Sequence, residues 1–451
     1  MNTSKIREIM ALWRCRLHKP DWWRLYLESK SHDKWTSEQI MEFNWKKRIE
    51  TLRFAYEHSP FYHELYKRAG LEPNDVKTEN DWACVPIVTR DDLRHNFETM
   101  RVADFRSRQF HMFTTGGSTG NPSKVLKDDA FSAKMLNWRA SGWAGIPLGQ
   151  NSATIMRLHP HTWIQDIRHW LIWFPSKDIL IDASNMNDQT ISDFIDTWRR
   201  VRPVTVSAYA GGIHQLALYI LEHSIEVPAP MGIFTTSAPC TAIQRNDIQK
   251  AFHAPVYDSY VCTEAHPMGA QCKCQAESGN RAMHIHADYR HLEFVGEDAK
   301  PLPVGQVGDI LITDCMDRVF PIVRYRLGDR GRALPGHCQC GLPYPLMDAV
   351  QGRLADYITT ETGRLSGEGW TMLFEKYADA VHGFQIHQHA DKTVTMKVVL
   401  NREYLDAEKE VSIVAAGMQK QLGNVPLTVE YVKEIPHDRG KIRYIISDYK
   451  G

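Results

Sequence analysis

Between Thr114 and Lys124 the chain reads TTGGSTGNPSK, a run of small and hydroxyl-bearing residues that ends on a basic one. Glycines lack the Cβ that holds a ligand off the backbone, so amides and hydroxyls of such a loop can donate together to polyphosphate oxygens. It is not the common P-loop, which closes on Gly-Lys-Ser or Gly-Lys-Thr, because Asn121 and Pro122 follow Gly120. By composition alone the stretch reads equally well as a flexible surface loop. Two later segments supply context. In YVCTEA, Tyr260, Thr263 and Glu264 follow a strand-like run, and a carboxylate near a phosphate loop can hold Mg2+, a hard ion that takes oxygen ligands. In VRYRLGDRG, Asp329 is expected in a turn after a strand, where an acid can accept both hydroxyls of a ribose. Taken singly, each is more often a solvated turn carboxylate.

A second constellation suits a metal. QCKCQAESGNRAMHIHAD and GHCQCG supply Cys272, Cys274, His284, His286, Cys338 and Cys340, more donors than one tetrahedral zinc needs. The C-x-C spacing is less specific than C-x-x-C, but Gly336 and Gly341 give the second pair the look of a knuckle. The plain alternative is a set of reduced, unliganded thiols. Nine cysteines, an odd number with no export signal, point to a reducing cytoplasm rather than a disulfide framework.

The elements that must position these groups follow from length and pattern. At 451 residues the chain exceeds what one core usually organises, so at least two domains are expected. Hydrophobic residues are 43% and charged residues 24% of the chain, ordinary globular usage. Lys plus Arg equals Asp plus Glu, at 54 each, and no basic run is interleaved with aromatics, which excludes the footprint of a nucleic-acid binder. The start, MNTSKIREIMALWRCRLHKPDWW, scatters charges through its apolar residues and lacks the centre of a secretory signal. No stretch is long enough to span a bilayer, so no membrane partner is expected.

From Glu8 to about Tyr66 apolar and aromatic residues recur at helical spacing, with Pro20 and Pro60 as breaks. PIVTRDDLRHNF predicts a short strand or turn and then a helix with Asp91 and Asp92 in its first turn. Between Trp138 and Pro255, strand-like runs (SATIM, PVTVSAY, MGIFTTS, APVYDSY) alternate with helical ones, the pattern of a doubly wound sheet. Beyond Ala287, RHLEFV, GQVGDILITDC and PIVRYRLGD predict an antiparallel or barrel-like subdomain. From about Asp356 the order strand, turn, helix and strand pair fits a small α+β domain. The fold class is therefore α/β: a large N-terminal domain with doubly wound sheets plus a β-barrel-like subdomain, and a small mobile C-terminal α+β domain. The expected boundaries are residues 1–354 for the first, with a helical entry 1–70, a nucleotide-binding α/β region 71–286 and a β-rich subdomain 287–354, and 355–451 for the small lid.

In order, RFAYEHSPFYHELYKRAGLEP, PIVTRDDLRHNF, TTGGSTGNPSK, YVCTE, VGDILIT, FPIVRYRLGD, QGRLAD and RGKIRYII resemble the phenylacetate–CoA ligase-like branch of the adenylate-forming superfamily. That superfamily also holds acyl-CoA synthetases, luciferases and nonribosomal adenylation domains. The likeness runs nearly end to end. It implies that Thr114, Thr115, Ser118, Thr119 and Lys124 hold the β- and γ-phosphates of ATP. Tyr260 would pack against adenine, Glu264 with Thr263 beside it would ligate Mg2+, Asp329 would bind the ribose, and Arg353 would assist at ribose or phosphate. Lys441 in RGKIRYII would be the mobile catalytic lysine, its charge needed because a carboxylate attacking the α-phosphate brings two anions together. Relatives with a structural zinc imply Cys272, His284, Cys338 and Cys340 as its ligands, with Cys274 as the alternate. Two positions depart from the family: Ala355 replaces the first of two acids in the hinge motif, leaving Asp356, and Val261 stands where many relatives have glycine.

The resemblance implies a cytoplasmic enzyme, with a homodimer compatible, that turns a small carboxylic acid and ATP into acyl-adenylate and then passes the acyl group on, coenzyme A being the leading acceptor. The acid is expected beside Tyr209, Gly211, Gly212 and Ser237, because YAGG and TTSAP follow strands at the edge where an open α/β sheet presents its crevice. Trp138, Trp143, Trp163 and Phe234 either line that pocket or are simply core. Three other outcomes share the same motifs: acyl transfer to an amine or sugar amine, as in the similarly built capsule-biosynthesis relatives that share an FQIHQH-like tail; transfer of AMP itself to an acceptor; and a nucleotide-binding protein without turnover.

Overall fold

The computed structural model describes residues 3–114, 124–131, 134–156, 163–183, 186–350, 357–360, 363–366, 377, 380–435, 437–438, 441–442 and 444–449. The chain divides into two compact units, the first formed by Met1–Gly149, Ile167–Pro175 and Ser259–Val350 and the second by Gln150–Asp166, Ser176–Asp258 and Gln351–Gly451.

The first unit opens with the helices Thr3–His18, Pro20–His32, Ser37–His58 and Pro60–Arg68. The two prolines expected as breaks sit at helix starts, where a missing N–H costs nothing because first-turn amides have no intrahelical partner. Thr36 and Gln39 close the third helix with a capping box. Its inward stripe, Ile40, Ile49, Leu52 and Ala55, packs into a core shared with Tyr62, Tyr66, Trp82, Leu93, Ile310 and Ile312. Thr89 and Asp92 cap the helix Arg90–His95, with Asp91 and Asp92 in its first turn. The β-rich region is an antiparallel sheet in which Gly308–Asp314 lies between Arg290–Val295 and Tyr325–Gly331. A hairpin pairs Phe110–Thr114 with Lys124–Asp128. The end of the strand Val256–Cys262 pairs antiparallel with His266–Ala270, followed in order by Met283–Ile285, Leu346–Met347 and Ala333–Leu334.

In the second unit Asp178–Asp182, Ser152–Met156, Thr205–Tyr209, Gly232–Thr236 and residues 256–258 run parallel in that order. The helices Asp188–Val201, Ala210–Glu222 and Ala242–Phe252 connect them, burying Ile155, Val206, Ile213, Leu216, Ile233 and Phe252. This is the alternation read from the sequence. The C-terminal part orders Leu427–Tyr431, Val394–Leu400, Val381–Gln388 and Ile445–Ser447 into one sheet. Along VTMKVVL, Val394, Met396 and Val398 are buried while Thr395 and Lys397 are not, the two-residue period of a strand with one covered face. The helix Ala407–Leu422 supplies the cover through Val411, Val414 and Met418. The segment EGWTMLFEKYADAV, where the expected α+β domain opens, lies largely outside the described residues. No helix among the described residues is long and apolar enough to cross a membrane.

Candidate active site and metal cluster

In the first unit three segments far apart in sequence meet. Tyr260, on the strand Val256–Cys262, donates its phenolic proton to Asp329 Oδ2 at 3.0 Å. Tyr325 donates to Glu264 Oε1 at 3.3 Å. The ring of His266 packs edge-on against Phe113, 5.1 Å between centroids, and Phe113 directly precedes Thr114 at the mouth of the glycine-rich loop. Burial pushes the Tyr260 phenol well above its ordinary value, with the charge of Asp329 adding to the effect. Tyr260 therefore stays protonated and serves as a donor.

Asp329 differs in placement from the sequence expectation. It lies within the strand Tyr325–Gly331, not in a turn after it. The ladder to Gly308–Asp314 shifts register between Asp309 and Leu311, and Gly328 opposite that shift adopts φ +80°. A bulge at this point bends the strand and re-aims its side chains, so the carboxylate is offered from a strand.

The loop ends are pinned as partners, Thr114 opposite Lys124 in the hairpin. Lys124 is exposed; Thr115, Ser118 and Thr119 lie outside the described residues. Three residues further on is a group the sequence reading missed. Lys127 is buried and bonds Asp314 Oδ2 at 3.0 Å with Asp317 Oδ2 at 3.5 Å, while Arg290 bonds Asp314 Oδ1 at 2.6 Å. Burial disfavours its ammonium, but Asp314 and Asp317 more than compensate. The network ties the hairpin that carries the loop to the antiparallel sheet. Nothing in VLKDD marks a partner 187 residues away. Thr263 is half-buried in the turn after the strand, and Glu264 is buried.

In the second unit the helix Ala210–Glu222 begins directly after Tyr209, so Gly211 and Gly212 lie in its first turn rather than in a loop. A Cβ on Gly212 would meet Ile155 Cγ2 at 3.1 Å and Ala183 Cβ at 3.3 Å, so close packing accounts for this glycine. Ser237 follows the strand Gly232–Thr236 with φ +79°. Its Oγ and the Oγ1 of Thr236 are buried without a hydrogen-bond partner. A buried hydroxyl left unpaired costs about 1–3 kcal/mol, so this strand end is polar and ready for a ligand. Lys441 starts the short strand Lys441–Ile442, opposite Asp438; Arg353 and Asp356 lie outside the described residues.

The aromatic candidates separate. Trp138 packs with Trp22, Tyr26 and Trp173, and Phe234 stacks on Tyr257 at 5.1 Å; these are core. Trp143 covers His284, His286 and Tyr344, and Trp163 is 71% exposed.

Cys272, His284, Cys338 and Cys340 present their donor atoms within 4.8 Å of one another, the first three buried. Cys272 and Cys338 sulfurs are 3.6 Å apart and Cys340 Sγ is 3.3 Å from His284 Nε2. A disulfide needs about 2.05 Å, whereas thiolates about 2.3 Å from a tetrahedral zinc sit roughly 3.8 Å apart. A hydrogen bond from Cys340 lowers the Cys272 thiol from its ordinary value, which favours a thiolate in the cluster. Chemistry, spacing and charge of this donor set fit a zinc ion. Cys274, in the short helix Lys273–Glu277, is not in the group. His286 turns away and pairs through Nδ1 with Arg139 at 2.7 Å.

Residues 357–448 match the family model of the CapK C-terminal domain. The chain is 23% identical to Protein CapK of Staphylococcus aureus over 62% of this chain and 60% of that protein, so the match spans less than two thirds of CapK. It is 24% identical to the phenylacetate-coenzyme A ligase of Escherichia coli strain K12, over 74% of each chain. Its fold is similar to that of 2-hydroxyisobutyryl-CoA ligase in the postadenylation state, with a TM-score of 0.74 at 17% identity, over 92% of this chain and 91% of that one. With its C-terminal segment matched, the chain is similar in sequence to CapK and to the phenylacetate-coenzyme A ligases and shares the fold of 2-hydroxyisobutyryl-CoA ligase.

Proposed function

We propose that this protein is an AMP-forming ligase that activates a small carboxylic acid with ATP and transfers the acyl group to a thiol, coenzyme A before others. The observation that carries the reading is the convergence of Tyr260 on Asp329, Tyr325 on Glu264 and His266 on the loop mouth at Phe113. A nucleotide needs these functions held together: phosphate donors, a carboxylate for Mg2+, and an acid for the ribose. Its likeness to phenylacetate-coenzyme A ligase supplies the chemistry.

In the first step a carboxylate oxygen attacks the α-phosphorus, the bond to the β-phosphate oxygen breaks and pyrophosphate leaves. In the second a thiolate attacks the acyl carbon and AMP leaves. Asp329 accepts from the ribose hydroxyls while Tyr260, its proton committed to Asp329, lies beside the base. Glu264 is the residue to hold Mg2+, which when bound neutralises charge on the phosphates. Thr114, Thr115, Ser118, Thr119 and Lys124 cradle the β- and γ-phosphates, and Thr236 with Ser237 offers free hydroxyls to the acid or its adenylate. Lys441, on the lid domain 355–451 that moves about Asp356, neutralises the charge built at the α-phosphorus. Zinc at Cys272, His284, Cys338 and Cys340 is structural, since four protein ligands leave no place for substrate.

A second reading, acyl transfer to an amine such as a sugar amine, draws on the match of residues 357–448 to the CapK C-terminal domain. Both begin with the same adenylate. A panel of carboxylic acids scored by ATP–pyrophosphate exchange tests the shared step, and no exchange with any acid class sinks both readings. Product analysis then separates acyl thioester, acyl amide and AMP left on an acceptor.

A further inference from the structure

The helix Thr3–His18 turns two apolar faces outward and inward. Inward, Ala11 and Cys15 are buried, and the segment is pinned to the body by Lys19 on Asp129 at 2.6 Å and by Arg14 donating to the Leu171 carbonyl at 2.7 Å. Outward, Ile6, Ile9, Trp13 and Leu17 stand in solvent, Trp13 61% and Leu17 57% exposed. Across Arg14, whose guanidinium lies 5.4 Å from the Phe174 ring, the patch continues onto the end of the helix Trp163–Trp173 with Trp170, 57% exposed, and Phe174. Single exposed apolar side chains are ordinary, but four on one helix face, with a second exposed indole beyond Arg14, mark a candidate interaction surface.

The charges say what covers it. Between Thr3 and His18 the helix carries Lys5, Arg7, Arg14 and Arg16 against one acid, Glu8, in a chain whose net charge is zero. The charged residues bordering the outward stripe are Lys5 and Arg16, both exposed, and the half-buried Arg14. A two-fold pairing of this face with its own copy would set basic rim against basic rim. A plane of anionic headgroups meets the same rim with opposite charge, while Trp and Leu enter the headgroup boundary, where indole rings are favoured.

We propose that this face docks the protein onto an anionic lipid surface, the first helix lying in the headgroup plane. The expectation of no membrane partner rested on the lack of a spanning segment, and a surface-lying helix needs none. Such a helix is about 24 Å long at 1.5 Å per residue, and being fixed to the folded body it presents its stripe without a further ordering cost.

Full-length protein is sedimented with vesicles of phosphatidylcholine alone, or mixed equally with phosphatidylglycerol, at about 0.05 M and about 0.5 M salt. It should pellet with the anionic vesicles, release in high salt, and shift its tryptophan emission to the blue on binding. Trp13→Glu should weaken partitioning at least about tenfold. Lys5→Glu, which reverses the charge of an exposed border residue, should weaken it at least about fivefold while the unfolding temperature stays unchanged. Wild-type protein left in the supernatant with anionic vesicles overturns the proposal. So does undiminished binding by the charge-reversed variant, or a wild-type dimer that Trp13→Glu splits into monomers, which would assign the face to a second copy.

Discussion

Tyr260 and Asp329, 69 residues apart, are joined by a 3.0 Å hydrogen bond that places a phenol beside the acid proposed to bind the ribose. The bond orients the carboxylate. Asp329→Ala should therefore raise the KM for ATP about 10- to 100-fold, the loss of about 1.5–3 kcal/mol expected for hydrogen bonds to a charged group. Tyr260→Phe should raise it less, because the acid remains. An unchanged KM for ATP in the aspartate variant would take the ribose role from this residue.

Lys441 lies at the start of a short strand that pairs with His437–Asp438. Lys441→Ala should lower the rate of pyrophosphate exchange by about 100- to 1,000-fold, the loss seen when one transition-state donor is removed. ATP binding, measured by calorimetry, should barely change, because the charge is needed only as the α-phosphorus is attacked. Turnover equal to wild type would refute this assignment.

About one zinc per chain is expected on elemental analysis under reducing conditions, from the one such four-donor group among the described residues. Cys338→Ser should lose the metal and lower the unfolding temperature, whereas Cys274→Ser should keep it, since Cys274 is outside the group. Metal retained in the first variant and lost in the second would reverse the ligand assignment.

Burial alone would raise the Asp314 carboxyl, but Arg290 and Lys127 hold it down at about 2, below its ordinary 3.8. A depressed carboxylate stabilises the fold above the unfolded value and loses that contribution as pH falls through the folded one. Wild-type stability should thus drop between about pH 4 and pH 2, partly through this group. Asp314→Asn should cost about 3–5 kcal/mol at neutral pH, because it takes the carboxylate from the buried Arg290 and leaves Lys127 with Asp317 alone, and should flatten that acid limb. Denaturant unfolding across this range, with equal slopes in both proteins, would exclude Asp314 as a contributor.

Local chemistry was legible in the sequence. Pro20 and Pro60, readable as breaks, open helices because a proline's missing N–H acts within one turn. Alternating runs such as SATIM and VTMKVVL identify strands because a side-chain period of two needs no distant partner. The candidate site was legible as segments, since a glycine-rich loop, a tyrosine with a nearby acid, and clustered thiols each carry their chemistry in residue type.

What the amino-acid order by itself determined was which groups are present and the local geometry each one prefers. Which of them meet was decided by tertiary structure, because contact depends on pairings between residues scores to hundreds of positions apart. The register shift that carries Asp329 within a strand, the buried Lys127 with its two acids, and the choice of Cys272 over Cys274 all arise that way. The same holds for the outward stripe of the first helix: its spacing is in the sequence, but only the packing of Ala11 and Cys15 inward leaves Trp13 and Leu17 to the solvent.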